Sequence, residues 1–352
     1  MTPRPEVARL HVAVIIVNYC SAELTLRALA SLAAEHSNPE LELSVVVVEN
    51  ASGDEERLRE GIAESFSSFA QLVVSPVNGG FGAGNNLGVR TLLKAGTRAR
   101  SFHFLNPDTV VHPGAVLSLA RFLDDHPRAG AVGSRFEHAD GTPWPFAFRF
   151  PTPLGEIESG ACLGIISRLL RQHSVARKLG ETPEQVDWLS GASIMVRREL
   201  LESVGGFDET YFLYFEETDL CMRAKAAGWE VWYVPDSRVM HIRGQSTGVT
   251  ALDTKPQRLP RYWFESRRRY YAKNHGLAYA AAADLAFLAG NGIGTLKNTL
   301  QGRPRTPNLL GDLIRQSVLW PQNRAVAPTR NTSVRGARET RDTRGSRDNK
   351  GA

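Results

Sequence analysis

The chain has 352 residues, of which 42% are hydrophobic, and a formal net charge of +5. This length suits one large domain with an appendage, and the three cysteines are too few and too widely spaced for a disulfide framework or a zinc site. The sequence has no uninterrupted apolar run of about 18 residues, and its N-terminus has no signal-peptide pattern. We therefore expect a cytoplasmic protein without a membrane-spanning helix.

The first third of the chain alternates between apolar runs and segments with helical periodicity. Four of the runs predict buried strands, at residues 12–18, 44–48, 72–75 and 101–105. The segments between them carry apolar residues three or four positions apart, which predicts helices, and a glycine-rich turn at 78–86 precedes the last helix at 87–94. This alternation predicts an α/β fold with a mostly parallel central sheet flanked by helices.

Polar residues follow the predicted strands. Asn18, Glu49, Asn78 and Asp108 each lie at or just beyond the carboxyl end of an apolar run. Because open α/β sheets bind ligands at the carboxyl ends of their strands, we expect these four side chains to converge on one crevice. The glycines at 79–88 do not indicate a dinucleotide site, because they follow the third predicted strand rather than the first.

The remaining two thirds of the chain contain further predicted elements. A helix is expected at 165–179, a strand at 186–196, and C-terminal helices at 261–275, 277–288 and 309–319. The helix at 261–275 interleaves aromatic residues with Arg and Lys, which predicts either contact with anionic lipid or packing on the rest of the protein. We therefore divide the chain into a domain at 1–250, a helical region at 251–322 and a disordered basic tail at 323–352.

The most informative segment places Glu216, Glu217 and Asp219 at the start of a predicted helix, after an aromatic run at 211–215. Neighbouring carboxylates repel one another unless a cation, a proton or solvent relieves the repulsion. A carboxylate in apolar surroundings has a raised proton affinity, which suits a general base. Asp219 has a structural alternative, which is a pair with Arg223 four residues further on.

Two more positions are candidates for metal binding. Asn106, Pro107 and Asp108 follow a predicted strand, and this pattern favours either a simple turn or a carboxylate presented to a divalent cation. Mg²⁺ and Mn²⁺ prefer oxygen ligands and often bridge a protein carboxylate to a diphosphate. His241 follows the carboxylate cluster and a short predicted strand, so it is either an ordinary surface or core histidine or a second ligand at the same edge.

Eight segments, within about residues 10–250, carry a family resemblance. They are Val14-Ile-Ile-Val-Asn-Tyr19, Val48-Glu-Asn-Ala-Ser52, Asn78-Gly-Gly-Phe-Gly-Ala-Gly-Asn-Asn86, Leu105-Asn-Pro-Asp108, Trp188-Leu-Ser-Gly-Ala192, Gly205-Gly-Phe-Asp-Glu209, Phe215-Glu-Glu-Thr-Asp-Leu-Cys221 and His241-Ile-Arg-Gly-Gln-Ser-Thr247. In this order they resemble family 2 inverting glycosyltransferases with the GT-A fold, in the bacterial rhamnosyltransferase-like branch.

The resemblance implies a role for each matching position. Glu217 matches the catalytic base, Asp108 the metal-binding acid and His241 a histidine that completes the metal site. The expected substrate-binding positions are Asn18, Glu49, Asn50, Gly79, Asn85, Asn106, Trp188, Ser190, Gly191, Glu216 and Asp219. Two positions depart from the family, which usually has Asp where this chain has Glu49 and Glu217.

The implied activity is an inverting sugar transfer that uses Mg²⁺ or Mn²⁺. The resemblance favours dTDP-L-rhamnose as the nucleotide-diphosphate donor and a glycan or polyprenyl-diphosphate-linked acceptor, in cell-surface polysaccharide synthesis at the inner face of the plasma membrane. One alternative is a non-catalytic nucleotide-sugar-binding relative, motivated by Glu49 and Glu217. Another is a nucleic-acid-binding protein, motivated by the basic tail and the aromatic–basic helix, although the sequence contains no recognisable nucleic-acid module.

Overall fold

The computed structural model describes residues 9–144, 147–242 and 256–325. The strands within these residues are β1 (Leu10–Asn18), β2 (Leu41–Glu49), β3 (Ala70–Val74), β4 (Ser101–Leu105), β5 (Thr109–Val111), β6 (Ala129–Glu137), β7 (Pro143–Trp144), β8 (Ala147–Phe148), β9 (Glu184–Gln185), β10 (Trp188–Leu189), β11 (Ser193–Arg197) and β12 (Glu230–His241). The α-helices are α1 (Ala22–His36), α2 (Glu55–Ser65), α3 (Gly80–Lys94), α4 (Ala115–Asp125), α5 (Pro153–Ala161), α6 (Gly164–Leu169), α7 (Arg198–Val204), α8 (Glu216–Ala226), α9 (Arg261–His275), α10 (Leu277–Leu300) and α11 (Leu309–Gln316).

A mixed sheet forms the centre of the molecule, with its main strands in the order β3-β2-β1-β4-β11-β6-β12-β5. As the sequence predicts, β3, β2, β1 and β4 are parallel. β11 runs antiparallel to both β4 and β6. Residues 12–16 of β1 are completely buried, although successive side chains point to opposite faces of the sheet. This is expected of a parallel strand whose sheet is covered on both faces. This arrangement brings the carboxyl ends of β1, β2 and β4 to one edge.

Two of the elements predicted between residues 165 and 196 differ from the structure. The strand expected at 186–196 is divided into β10 and β11, because the backbone turns at Gly191 and Ala192, and β10 leaves the central sheet to pair with β8. The helix expected at 165–179 is limited to α6 and one short 3-10 turn. It ends there because residues 175–177 are extended and bond to the backbone of residues 147–149.

The glycine-rich segment is helical rather than a turn, because α3 begins at Gly80 instead of at residue 87. Gly84 and Gly88 face β1, where a Cβ would lie 2.8 Å from Val17 and 2.7 Å from Ile15. Close packing on the sheet offsets the low helix propensity of these glycines, which is about 1 kcal/mol per residue relative to alanine. The glycines within α3 therefore serve helix packing rather than a phosphate-binding turn.

Replacing Gly80 by alanine is expected to destabilise the fold by roughly 2–5 kcal/mol. Gly80 has a φ of +84°, and a Cβ there would lie 1.9 Å from the carbonyl oxygen of Phe212. The matched control is Gly96→Ala, just beyond the other end of α3, because Gly96 has a φ of +76° and open space around it. The control should lose only the roughly 1–2 kcal/mol of a left-handed backbone. Equal losses in urea denaturation would contradict the role of the Phe212 contact.

The aromatic–basic helix α9 is packed on the rest of the protein. Tyr270 and Tyr271 are fully buried, and Arg267 and Arg269 are 1% and 7% exposed. Of the two alternatives for this helix, packing is therefore the correct one. With these two arginines buried, α9 supports neither a lipid-binding nor a nucleic-acid-binding role.

Helix α10 extends to Leu300, beyond its predicted end at 288, because Gly290 and Gly294 let its backbone lie against α5. Among the described residues it is the one helix that is long and apolar enough, by length and composition, to cross a membrane, which the sequence did not predict. Its inner side nevertheless packs on α5 and α9 and carries Asp284, which is paired with Arg267 at 2.6 Å.

The predicted boundary near 250 and most of the predicted tail lie outside the described residues.

Candidate active site

Asp108 and His241 come together where β4 leads into β5. β5 pairs with β12 so that Thr109 lies opposite His241, and the backbone N–H of Ile242 donates to the Asp108 carbonyl at 2.9 Å. His241 Nε2 lies 3.2 Å from Asp108 Oδ1, across 133 positions of sequence. The structure thus joins the two residues that the resemblance implied as metal ligands.

A carboxylate and an imidazole at this spacing fit a divalent ion that takes its other ligands from water and a diphosphate. Across residues 9–144, 147–242 and 256–325, no group of three or more His, Cys, Asp or Glu side chains forms a metal site by itself. Metal bound at Asp108 and His241 would therefore depend on diphosphate oxygens to complete its coordination. This dependence would couple metal binding to donor binding.

The polar residues at the ends of β1 and β2 lie close together, but they bond mainly to protein. Asn18 is fully buried, and its Nδ2 donates to Asp54 Oδ2 at 2.9 Å. The Glu49 carboxylate accepts from the backbone N–H groups of Ala51 and Ser52 at 2.9 and 2.6 Å. Ala51 has a φ of +58°, so Glu49 stabilises a strained turn at this edge of the sheet.

Asp54 is a residue of this edge that the sequence analysis missed. Its carboxylate accepts from the backbone N–H groups of Ser21 and Ala22, at 2.9 and 3.1 Å, at the start of α1. The negative charge is favourable there because the first N–H groups of a helix have no partner within the helix. The available sequence signal was the position of Asp54 before the acidic start of α2, which is typical of an N-cap.

The loop after β2 and the first turns of α3 each contribute one buried amide, Asn50 and Asn85. Asn50 Nδ2 donates to Asn78 Oδ1 at 3.0 Å, next to Gly79, and Asn85 Nδ2 donates to the Phe81 carbonyl at 3.0 Å. The side-chain oxygens of Asn50 and Asn85 are buried and have no hydrogen-bond partner in the part of the chain that the structure describes. Buried acceptors without a partner are rare in native proteins, and these two mark this edge of the sheet as a candidate place for a ligand.

A cleft with a volume of about 260 Å³ lies beside the start of α8. Its lining residues are Pro151, Thr152, Gly155, Glu156, Ser159, Val175, Trp188, Tyr214, Phe215, Glu217, Thr218 and Trp263. Trp188 is fixed by a 2.8 Å hydrogen bond to the Arg149 carbonyl. Glu156 is held by Arg267 at 2.9 Å, which leaves Glu217 as the carboxylate of this cleft without an ion-pair partner among the described residues.

Glu216 and Glu217 begin α8 after two residues in the left-handed region. Tyr214 and Phe215 have φ values of +70° and +68°. This conformation costs of order 1–3 kcal/mol for each residue and is concentrated at functional sites.

Burial raises the pKa of Glu216 well above its usual value, and repulsion by Glu217 adds to the effect. Burial also raises the pKa of Glu217, although backbone N–H groups oppose this shift. Burial and mutual repulsion therefore favour a proton on this pair of carboxyl groups, and the backbone N–H groups around Glu217 favour its ionised form.

The turn at Gly191 positions Glu217. The backbone of this turn lies against Glu217, because a Cβ at Gly191 would lie 3.8 Å from Glu217 Oε1. Ser190 Oγ accepts from the Ala192 N–H at 3.3 Å, and the Ala192 carbonyl accepts from the Asn106 N–H at 3.0 Å. The bond between Asn106 and Ala192 connects the loop that carries the candidate metal ligand to the turn that lies against the candidate base.

Asp219 is fully buried behind the cleft. It pairs with Arg223 at 2.8 Å and with Lys273 at 2.7 Å. Burial alone would raise the pKa of Asp219, but these two cations outweigh it and lower the pKa. The geometry favours the structural alternative for Asp219 over its expected role in holding the acceptor.

A second buried acid, Asp208, extends this ion-pair network and was missed by the sequence analysis. Its carboxylate contacts Arg269 at 2.6 Å and Lys273 at 2.9 Å. Because Lys273 bridges Asp208 and Asp219, helix α9 holds the segment that carries the two glutamates. The sequence signal for this network was the repeated Arg and Lys residues among the aromatic residues of α9. That pattern does not identify the acids with which these cations pair.

Residues 8–258 match the family described as glycosyltransferase like family 2. The chain belongs to this family. This glycosyltransferase is 32% identical over 252 residues to N-acetylglucosaminyl-diphospho-decaprenol L-rhamnosyltransferase of Mycobacterium tuberculosis, an alignment that covers 67% of this chain and 77% of that protein. It is 27% identical over 164 residues to rhamnosyltransferase WbbL of Escherichia coli, which covers 46% of this chain and 60% of that one.

The fold of this glycosyltransferase also has solved counterparts. A crystal structure of GalNAc-T7 with UDP, GalNAc and Mn²⁺ matches with a TM-score of 0.53 at 16% identity, over 83% of this chain and 57% of that one. At this identity the match concerns the fold alone. It confirms the GT-A type of α/β fold that the sequence resemblance implied.

Proposed function

We propose that this glycosyltransferase moves L-rhamnose from dTDP-L-rhamnose to a polyprenyl-diphosphate-linked glycan, with inversion at the anomeric carbon. The substrate class is supported by the two relatives, both of which are named as rhamnosyltransferases. The observation that carries the proposal is the Glu217 carboxylate, which lines the cleft and has a buried Oε2 atom with no hydrogen-bond partner among the described residues.

Glu217 acts as the general base in this proposal. It removes the proton of the acceptor hydroxyl while that oxygen attacks the anomeric carbon of the donor. The bond between this carbon and the diphosphate oxygen breaks in the same step, and its electron pair leaves with the nucleoside diphosphate. The proton ends on Glu217, and attack from the face opposite the leaving group inverts the configuration.

The cleft binds the acceptor in this proposal. Trp188, Tyr214 and Trp263 place aromatic side chains around Glu217, and mainly apolar walls with a few polar groups are typical of ligand sites. Trp263 comes from α9, so the C-terminal helices take part in the site. The acceptor is expected on the cytoplasmic face of the plasma membrane.

Asp108 and His241 hold Mg²⁺ or Mn²⁺ beside the donor diphosphate in this proposal. Such an ion, when bound, neutralises the charge that develops on the leaving diphosphate.

We assign Glu49 and Asn18 to holding the loop after β2, and the side-chain oxygens of Asn50 and Asn85 to hydrogen bonding with the donor. The non-catalytic alternative rests on the two glutamates alone, and the position of Glu217 in the lining of the cleft favours catalysis.

Asp108→Asn is expected to remove the dependence of donor binding on Mn²⁺. In the wild type, chelation of Mn²⁺ should weaken dTDP-L-rhamnose binding by about tenfold or more, because the ion would bridge the donor diphosphate to Asp108. The variant should bind the donor equally weakly with and without the ion, as measured by calorimetry. Asp125→Asn, on the exposed end of α4, is the control. A variant that still gains affinity from Mn²⁺ would contradict the metal assignment.

Donor choice is tested by thermal stabilisation of the wild type with a panel of nucleotide sugars and Mn²⁺. A ligand at 100 times its dissociation constant adds about 2.7 kcal/mol to the free energy of unfolding. dTDP-L-rhamnose should give the largest increase in melting temperature. A larger increase with a UDP or GDP sugar would replace the donor in the proposal.

A further inference from the structure

The outward side of α10 is a continuous apolar stripe. The residues of this stripe are Ala278, Ala282, Leu285, Ala289, Ile293, Leu296 and Leu300, all of them exposed. They are spaced three or four positions apart, which at 3.6 residues per turn places them within roughly 80° of one another around the helix axis and along roughly 33 Å of its length. Leu285, Leu296 and Leu300 are 55%, 63% and 80% exposed.

A helix on the surface of a globular protein normally presents polar residues to water. Single exposed apolar side chains need no explanation, but a contiguous patch indicates an interaction site. The inner side of α10 is already occupied, because a Cβ at Gly294 would lie 2.2 Å from the Gly160 carbonyl oxygen of α5. Since α10 is fixed on this side, the apolar stripe faces outward in the folded protein.

Helix α6 begins close to the C-terminal part of the stripe. Lys297 Nζ donates to the Cys162 carbonyl, just before α6 begins. On α6, Ile165 and Leu169 lie four positions apart and are 71% and 73% exposed. We call α6 and the α10 stripe together the apolar face.

The two segments that form the apolar face carry cations and no acids. Residues 162–178 and 285–311 contain no Asp or Glu. Their basic residues are Arg168, Arg171, Arg177, Lys178, Lys297, Arg303 and Arg305. Arg177 pairs with Glu184, whereas none of the other six forms an ion pair with an acid in the described residues. The apolar face therefore combines exposed leucine and isoleucine side chains with uncompensated positive charge.

We propose that the apolar face is the surface by which this protein lies on an anionic lipid bilayer. Amphipathic helices bind in the plane of a membrane through apolar burial together with the attraction of basic residues to anionic headgroups. A second copy of the chain fits this face poorly, because a symmetric contact would bring like charges together without an acid in either segment to pair with them. The occupant that matches both the apolar area and the charge is the anionic membrane surface.

This orientation also explains the position of the cleft. Thr152, Gly155 and Ser159, in and before α5, line the cleft, while Gly160 of the same helix contacts α10. Val175 lines the cleft as well and follows α6 by a few residues. A protein resting on the apolar face would hold the cleft near the bilayer that contains a lipid-linked acceptor. This last step rests on the proposed function, whereas membrane binding itself does not.

The test is co-sedimentation of the full chain with vesicles of phosphatidylcholine alone and of phosphatidylcholine mixed with phosphatidylglycerol. Leu296→Gln with Leu300→Gln should lower partitioning onto the mixed vesicles at least tenfold, because two large apolar side chains no longer insert. Arg168→Gln with Arg171→Gln should lower it roughly 10–30-fold at low salt, and this difference should vanish at high salt. The basic C-terminal segment is present in every variant and contributes equally.

The controls sit on other surfaces. Val77→Gln removes a side chain that is 65% exposed on another part of the molecule, and Arg261→Gln removes an exposed cation of α9; both should bind vesicles like the wild type. Unchanged binding of the Leu296→Gln/Leu300→Gln variant would overturn the proposal. So would a wild type that is dimeric by light scattering without lipid and becomes monomeric in that variant, because a second copy would then be the occupant. Since the readout is lipid binding, failure here is distinguishable from failure of the proposed sugar transfer.

Discussion

Glu217→Gln is expected to lower the turnover number by about 10²–10⁴-fold, the range that a general base contributes. Glutamine keeps the shape of the side chain but cannot accept the proton of the acceptor hydroxyl. Donor affinity, measured by calorimetry with dTDP-L-rhamnose and Mn²⁺, should stay within a few-fold of wild type because the change is on the acceptor side. Turnover close to that of the wild type would exclude Glu217 as the base.

The neighbouring Glu216 supplies the matched control. It is 3% exposed, and its pKa is raised by burial and by Glu217, so glutamine resembles the protonated form that this environment favours. Glu216→Gln should therefore retain most of the activity.

The pH dependence of turnover gives a second check on Glu217. A base must be deprotonated, and burial raises the pKa of Glu217. Activity should therefore decline, as the pH falls, at a higher pH than the pKa of about 4.3 for an ordinary glutamate implies. An acidic limb below that value would show an active-site base whose pKa is not raised, which would contradict the buried Glu217 as the base.

Asp219→Asn is expected to lower the free energy of unfolding by about 3 kcal/mol, because it leaves buried cations without a charge partner. Asp219 pairs with Arg223 and Lys273 and is itself fully buried. The matched control is Asp124→Asn, which breaks an exposed pair with Arg100 and should change stability by less than about 1 kcal/mol. Chemical denaturation at pH 7 measures both.

The acid dependence of stability follows from the lowered pKa of Asp219. A depressed carboxyl pKa contributes stability above the unfolded value of about 3.9, and this contribution is lost as the pH falls through the folded pKa. The difference between the wild type and Asp219→Asn should therefore shrink in strong acid. If the variant is as stable as wild type but has a raised KM for the acceptor, Asp219 contacts substrate as the sequence resemblance implied.

The sequence predicted the parts of the fold that depend on local pattern. The valine-rich run that became β2 could only be a buried strand, and the polar residues after β1, β2 and β4 had to meet at one edge. Asp108 and His241 were paired through the family resemblance, and the register between β5 and β12 accounts for their contact. The predicted strands β1, β2 and β4 were therefore correct, because their apolar runs are decided by the local sequence and by the parallel sheet together.

The differences arose where a partner distant in sequence decides the outcome. Gly80 begins a helix because α3 packs closely on β1, and no local propensity indicates this. The arginines of α9 suit a lipid surface as well as a buried network, and only the positions of Asp208 and Glu156 in the fold decide between them. The carboxylate of Glu49 turns back to its own loop for a similar reason, since the strained turn at Ala51 needs acceptors nearby.

The central claim is that this chain carries out an inverting sugar transfer with Glu217 as the base. The most direct measurement is nuclear magnetic resonance of the product formed from dTDP-L-rhamnose, Mn²⁺ and a polyprenyl-diphosphate-linked N-acetylglucosamine. We predict a rhamnoside whose anomeric configuration is opposite to that of the donor, formed by the wild type and lost in Glu217→Gln. A product that retains the donor configuration, or equal product formation by the variant, would contradict the mechanism.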